Sequence, residues 1–98
     1  MSPHFAETES LLKRRELYAA ADAFSQLRPA FKSSLEGLML SARIHAAAKR
    51  WSNVDVLCRI IRTEHPAEAF GFVAAAESLR QQGRHEDASA MLNGWMAA

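Results

Sequence analysis

The chain has little of what disulfide-stabilised, disordered or β-rich proteins contain. Cys58 is the single cysteine among 98 residues, so no disulfide can form within the chain and no oxidising compartment is needed. Three prolines and four glycines are too few for a disordered or collagen-like segment. Valine, isoleucine and threonine, which strands favour, together occur only eight times. The composition therefore favours an all-α chain.

Neither sign of charge dominates, and no long apolar run is present. Twelve Lys and Arg stand against 11 Asp and Glu, for a net charge of +1. A strongly basic surface for nucleic acid is therefore not expected. Charged residues interrupt every apolar stretch, and the first seven residues lack the apolar segment of a secretory signal. We expect a cytoplasmic protein that binds neither nucleic acid nor a membrane.

Apolar residues recur with helical spacing in three sets that are separated by one constant interval. Within each set the steps are three, four and three residues, which places the set on one stripe of a helix. The sets are Leu17, Ala20, Phe24 and Leu27; Trp51, Val54, Cys58 and Ile61; and His85, Ala88, Leu92 and Trp95. Small residues follow the same interval at Thr8, Ala42 and Ala76. A constant interval of about 34 residues indicates an internal helical repeat.

The period divides the chain into three helix-turn-helix units over residues 1–33, 34–66 and 67–98, within a single domain spanning 1–98. The spacing predicts helices near 4–14, 17–28, 34–48, 51–64, 67–81 and 84–97. Arg15, Lys49 and Gly83 stand just before the second helix of each unit. Glycine is suited to that place because it reaches positive φ without a Cβ clash.

The repeat resembles the tetratricopeptide repeat (TPR) family, which has helix-turn-helix units of the same length. In the third unit the matching residues are Phe72, Ala76, Leu79, Gly83, His85 and Ala88. In the second they are Leu38, Ala42, His45, Trp51, Val54 and the closing Pro66, and the first unit keeps Leu11, Leu17, Ala20, Phe24 and Leu27. Arg15 and Lys49 depart from the family's turn glycine.

The resemblance implies a short right-handed α-solenoid whose concave face is formed by the first helix of each unit. The family's defining residues are structural, so it implies a protein-interaction scaffold rather than an enzyme. The candidate peptide-binding residues on that face are Met39, Arg43, Phe70, Val73, Glu77 and Arg80. The apolar ones could equally pack between neighbouring units. The three charged ones are expected to contribute to binding rather than to folding.

No arrangement of residues predicts catalysis, a metal or a cofactor. No two of the four histidines have the i, i+4 spacing of a metal pair, and Cys58 fits a small buried hydrophobe on its helical stripe. Two other functions remain open, the first within the same architecture and the second from another class. One is a small dedicated chaperone for a secreted bacterial substrate. The other is an RNA-binding helical array, which the near-neutral charge disfavours.

The last helix offers a candidate self-association surface. Trp95 and Met96 lie near its end, where no further unit would cover them. An exposed apolar patch of this kind predicts a two-fold homodimer. The alternative is that Trp95 folds back over its own helix pair.

Overall fold

The computed structural model describes residues 3–97, and within that range the chain is entirely helical. A 3₁₀ turn, Pro3–Phe5, leads into the first helix. The α-helices are α1 (Ala6–Lys13), α2 (Leu17–Ser25), α3 (Pro29–Lys32), α4 (Leu35–Ala47), α5 (Trp51–Glu64), α6 (Phe70–Gln81) and α7 (His85–Ala97). The prediction of an all-α chain is confirmed. Every helix in residues 3–97 is too short or too polar to cross a bilayer.

The helices pack in chain order as three hairpins. α1 contacts α2, α4 contacts α5, and α6 contacts α7; α2 against α4 and α5 against α6 join one hairpin to the next. Three clusters of buried residues fill these contacts. They are Phe5, Leu12, Ala20, Leu40 and Ile44; Val54, Cys58 and Ala75; and Ala76, Leu79 and Ala88.

The turn inside each hairpin has the same backbone conformation. Arg15, Lys49 and Gly83 have φ angles of 62°, 61° and 79°, in the left-handed region. The amide of each donates to the carbonyl three residues earlier at 3.0 Å, and the next amide donates to the carbonyl five residues earlier at 2.9–3.0 Å. This pair of bonds is the Schellman ending of a helix. The period of the sequence is therefore present in the backbone.

The predicted small positions are all buried, and Ala76 of α6 packs with Ala88 of α7. Thr8, Ala42 and Ala76 are 2%, 1% and 5% exposed. Larger side chains at Thr8 or Ala42 would not fit, because packed interiors leave no room for extra methylene groups.

Two boundaries differ from the sequence-based expectation. α2 ends at Ser25 rather than near residue 28. The segment that follows contains the single turn α3, which begins at Pro29, a residue suited to the first helical position. α4 follows closely, and a Cβ on Gly37 would lie 2.1 Å from the Phe31 carbonyl oxygen, so glycine is required there. α6 begins at Phe70 rather than near residue 67, because a turn at Pro66 and Ala67 intervenes.

Candidate interaction surface

A groove between α6 and α7 brings together half of the candidate binding residues. It encloses about 300 Å³, and we call it the end groove. Its lining from α6 is Val73, Ala76, Glu77 and Arg80, and its lining from α7 is His85, Ala88, Ser89 and Leu92. Val73 is 49% exposed, which is high for a valine beside a buried floor of Ala76 and Ala88. The groove therefore combines an open apolar centre with a polar edge.

The charges at the edge of the end groove are held in place by hydrogen bonds. Glu77 accepts hydrogen bonds from Arg80 and, at 2.9 Å, from Gln81. The hydrogen bond from Gln81 is the main cause that lowers the pKa of Glu77, and the adjacent Arg80 lowers it further. Glu77 is therefore a carboxylate at neutral pH that already has a cationic partner in Arg80.

The remaining candidate residues lie outside the end groove. Met39 and Phe70 are half-buried, and Arg43 forms a hydrogen bond with Glu9 of α1. The guanidinium of Arg43 donates to the carboxylate of Glu9 at 2.9 Å, and the Glu9 side chain is only 17% exposed. Arg43 thus has a packing contact that sequence analysis did not anticipate. The binding role of all six candidate residues stays a prediction.

A larger cleft of about 680 Å³ lies between α5 and α7, with α6 as its floor. Its arginines are mostly engaged within the protein. Arg62 donates to the Gly71 carbonyl at 3.0 Å and lies 5.9 Å from the centre of the Phe72 ring, while Arg84 pairs with Asp87 at 2.9 Å. Size alone does not make this cleft the better candidate, because none of the six residues predicted to bind a peptide lines it.

The end of α7 is partly folded back. The ring of Trp95 stacks on Phe72 with 6.1 Å between centroids, so the indole is half-buried against its own hairpin. Met96 is 74% exposed. Self-association through these two residues stays a prediction, and Trp95 offers less free surface than its position near the chain end implied.

Cys58 and the histidines do not converge on a reactive centre. Cys58 is fully buried, and burial raises the pKa of its thiol to about 11. His45 is half-buried, and desolvation followed by the nearby Arg50 lowers its pKa. In the described part of the chain, no three His, Cys, Asp or Glu side chains are grouped so that they could hold a metal ion.

Sequence analysis missed the α7 side of the end groove. His85, Ala88 and Leu92 were assigned to the stripe that packs within the chain, and Ser89 was not singled out. The repeat pattern could have predicted this wall, because no later helix in the described part of the chain covers the apolar stripe of the final unit. Comparison with protein-family models, curated proteins and solved structures finds no match to this chain.

Proposed function

We propose that the protein is a non-catalytic helical-repeat module of the TPR type that binds a peptide or protein segment of a partner. The observation that carries the proposal is the end groove. Val73, Glu77 and Arg80, expected from sequence on the concave face, lie there around an exposed apolar centre. Interfaces commonly combine a desolvated apolar core with a polar rim of this kind.

The repeated hairpin supports the architecture that the proposal assumes. The left-handed residues Arg15, Lys49 and Gly83 recur once in each unit, and each hairpin contacts the next. Stacking such units in a right-handed solenoid would align α1, α4 and α6 along one face. Met39, Arg43 and Phe70 would extend the binding face from the end groove towards the first unit.

The groove offers two kinds of interaction to a partner segment. Apolar side chains would bury Val73 and the half-buried Leu92, which supplies most of the affinity. The fixed charges of Glu77 and Arg80 would set orientation and select the partner. We also propose that the module acts in the cytoplasm; its single thiol, Cys58, is free and buried, which is compatible with a reducing compartment.

The proposal is tested by partner capture with matched variants of the purified chain. The groove variant carries Val73→Glu and Arg80→Glu. The control variant carries Val56→Glu and Arg28→Glu, which change one exposed valine and one exposed arginine outside the groove. Proteins recovered from a cell extract are compared by quantitative mass spectrometry.

We expect at least one protein to be recovered with the parent and with the control variant, and to be reduced about tenfold or more with the groove variant. Thermal melts of both variants should remain close to that of the parent, because the changed residues are exposed. Equal recovery by all three chains, or recovery of nothing above background, would contradict the proposed function.

A further inference from the structure

The turns inside the three hairpins lie side by side on one surface of the protein. A pocket of about 430 Å³ is lined by the start of α2 and by residues 47–50 of the second turn. A pocket of about 440 Å³ is lined by residues 49–53 and by Gln82 of the third turn. The second turn therefore lies between the other two, with a pocket on each side. We call the equivalent residues 13–16, 47–50 and 81–84 the turn surface.

Positive charge is concentrated on the turn surface. It contains six of the twelve Lys and Arg but only one of the eleven Asp and Glu. The turn surface thus carries a formal charge of +5, and the other residues together carry −4. The expectation that the chain does not bind nucleic acid rests on its net charge, and that charge does not describe this surface.

Most cations of the turn surface have no partner within the protein. Arg14 pairs with Glu16 at 3.0 Å, and Arg84 pairs with Asp87 at 2.9 Å. The other four cations are exposed, and their side chains form no ion pair or hydrogen bond within residues 3–97. These four are Lys13, Arg15, Lys49 and Arg50. Their charges are therefore available to an anionic partner.

Each of the two pockets has one aromatic ring in its wall. Tyr18 lines the first pocket and is 93% exposed, and the half-buried Trp51 lines the second. Lys49 and Arg50 line both pockets. Two unpaired cations thus lie between two pockets that each contain a ring. The ring of Tyr18 has almost no contact within the protein, so nearly all of its surface is free to stack on a ligand.

This alternation of rings and cations fits a single strand of nucleic acid better than other polyanions. A single strand alternates anionic phosphates with flat bases, and proteins bind it through cations along the backbone and aromatic rings stacked on the bases. In a duplex the bases are stacked on one another and are not free to enter pockets. A run of acidic residues offers charge without flat rings, and an anionic membrane presents a continuous charged plane.

We propose that the turn surface binds single-stranded nucleic acid, with a phosphate at Lys49 and Arg50 and the two adjoining bases against Tyr18 and Trp51. The exposed Arg15 extends the contact to the backbone of the strand. No residue lines both these pockets and the end groove, so this activity is separate from the proposed binding of a peptide. RNA and DNA share the phosphates and bases on which the binding depends.

The test measures binding of labelled oligonucleotides to the full chain by fluorescence anisotropy. The probes are oligouridine and oligodeoxyuridine of about eight nucleotides, which differ only in the 2′-hydroxyl, and an abasic strand of the same length. A glutamate peptide and vesicles of phosphatidylcholine with about 30% phosphatidylserine represent the other polyanions. All are compared at about 50 mM salt, where contacts to phosphate are strong.

Two pairs of variants separate the cations from the ring. The charge variant carries Lys49→Gln and Arg50→Gln. Its matched control carries Arg28→Gln and Arg59→Gln, which remove two exposed cations that line neither pocket. Tyr18→Ala removes the ring, and Tyr18→Phe retains it. Trp51 is left unchanged, because it also packs against a buried cluster.

We expect saturable binding of at least one oligonucleotide, and the tighter of the two identifies the strand as RNA or DNA. The charge variant should bind it about tenfold more weakly and with a smaller dependence on salt, while the control stays within about twofold of the parent. Tyr18→Ala should weaken binding about fivefold and Tyr18→Phe by less than about twofold, because only the first loses stacking. The abasic strand should bind the parent about fivefold or more weakly than the intact strand.

Several results would overturn the proposal. They are the absence of saturable binding up to about 1 mM, equal weakening by the charge variant and its control, or equal binding of the intact and abasic strands. Unchanged binding by Tyr18→Ala would also contradict it. Tighter binding of the glutamate peptide or the vesicles than of either oligonucleotide would assign the turn surface to that partner. A dimeric parent that the charge variant makes monomeric would assign it to a second copy of the chain.

Discussion

The carboxylate of Glu9 accepts a hydrogen bond from the guanidinium of Arg43 at 2.9 Å, and the two residues occupy the same position in successive units. The pair joins α1 to α4. The Glu9 side chain is 17% exposed and that of Arg43 is 40% exposed, so the pair is less screened than ion pairs at the surface. Arg43 therefore contributes to folding as well as to the proposed binding face.

Reversing the charge of Arg43 should destabilise the protein more than reversing that of Arg80. Arg43→Glu places two carboxylates together at a partly buried site, and we expect it to lower the free energy of unfolding by about 1 kcal/mol. Arg80→Glu acts at an exposed pair and should lower it by less than about 0.5 kcal/mol. Urea denaturation measures both. The double exchange Glu9→Arg with Arg43→Glu should recover most of the loss; no recovery would mean that the ion pair is not the cause.

Lys49→Gly should stabilise the protein. Lys49 has a φ of 61°, where a Cβ is strained, and its turn is otherwise the same as the one that Gly83 forms. Glycine relieves the strain but loses more backbone entropy on folding, so we expect a net gain of about 0.5–1 kcal/mol in urea denaturation. Gly83→Ala should produce a loss of similar size. A destabilised Lys49→Gly variant would show that the lysine side chain matters more than the backbone conformation.

Ala42→Leu should lower the free energy of unfolding by about 1–3 kcal/mol, because Ala42 is 1% exposed and a packed interior has no room for the added methylene groups. Ala90→Leu changes an exposed alanine of α7 and is the matched control, with an expected change below about 0.5 kcal/mol. Thermal melts of the two variants decide the matter. A melt of Ala42→Leu that coincides with the parent would show that Ala42 does not lie at a packed contact.

Stability should decline in mild acid because of His45. Burial, and secondarily Arg50, lowers the pKa of this imidazole below 6.5, so the unfolded chain takes up a proton before the folded chain does. The stabilisation from neutral His45 is therefore complete above the ordinary pKa and is lost as the pH falls through 6.5 towards the folded value. The nitrogen Nδ1 of His45 lies 3.2 Å from the side-chain nitrogen Nδ2 of Asn53. Protonation of Nδ1 would disrupt this interaction.

The comparison variant is His45→Phe, which keeps a ring but cannot titrate. Between about pH 7.5 and pH 5.5, the free energy of unfolding of the parent should fall relative to that of His45→Phe. Parallel curves for the two proteins over this range would remove His45 as the cause.

The repeat could be predicted from the sequence because individual residues of the same kind recur at a constant interval. Gly83 marked one turn directly, and the period carried that assignment to Arg15 and Lys49, although neither residue favours positive φ. The buried positions of Ala42 and Ala76 followed in the same way. Local residue type and regular spacing were sufficient for these features.

Other features depend on how separate helices meet, and spacing does not contain that information. α3 is a single turn, too short to show a period. The pairing of Glu9 with Arg43 requires the relative position of α1 and α4, and the stacking of Trp95 on Phe72 requires the rotation of α7 against α6. The end groove was identified only in part for the same reason, because its α7 wall consists of residues that in earlier units serve as packing.

Hydrogen–deuterium exchange of the full chain, alone and with the partner that it captures, tests the central claim most directly. Partner binding at the end groove should slow exchange of backbone amides between Val73 and Leu92, while amides of α1 and α2 keep their rates. The Val73→Glu and Arg80→Glu variant should show no slowing at the same partner concentration. Slowing confined to α1 and α2, or equal slowing in the variant, would contradict the account.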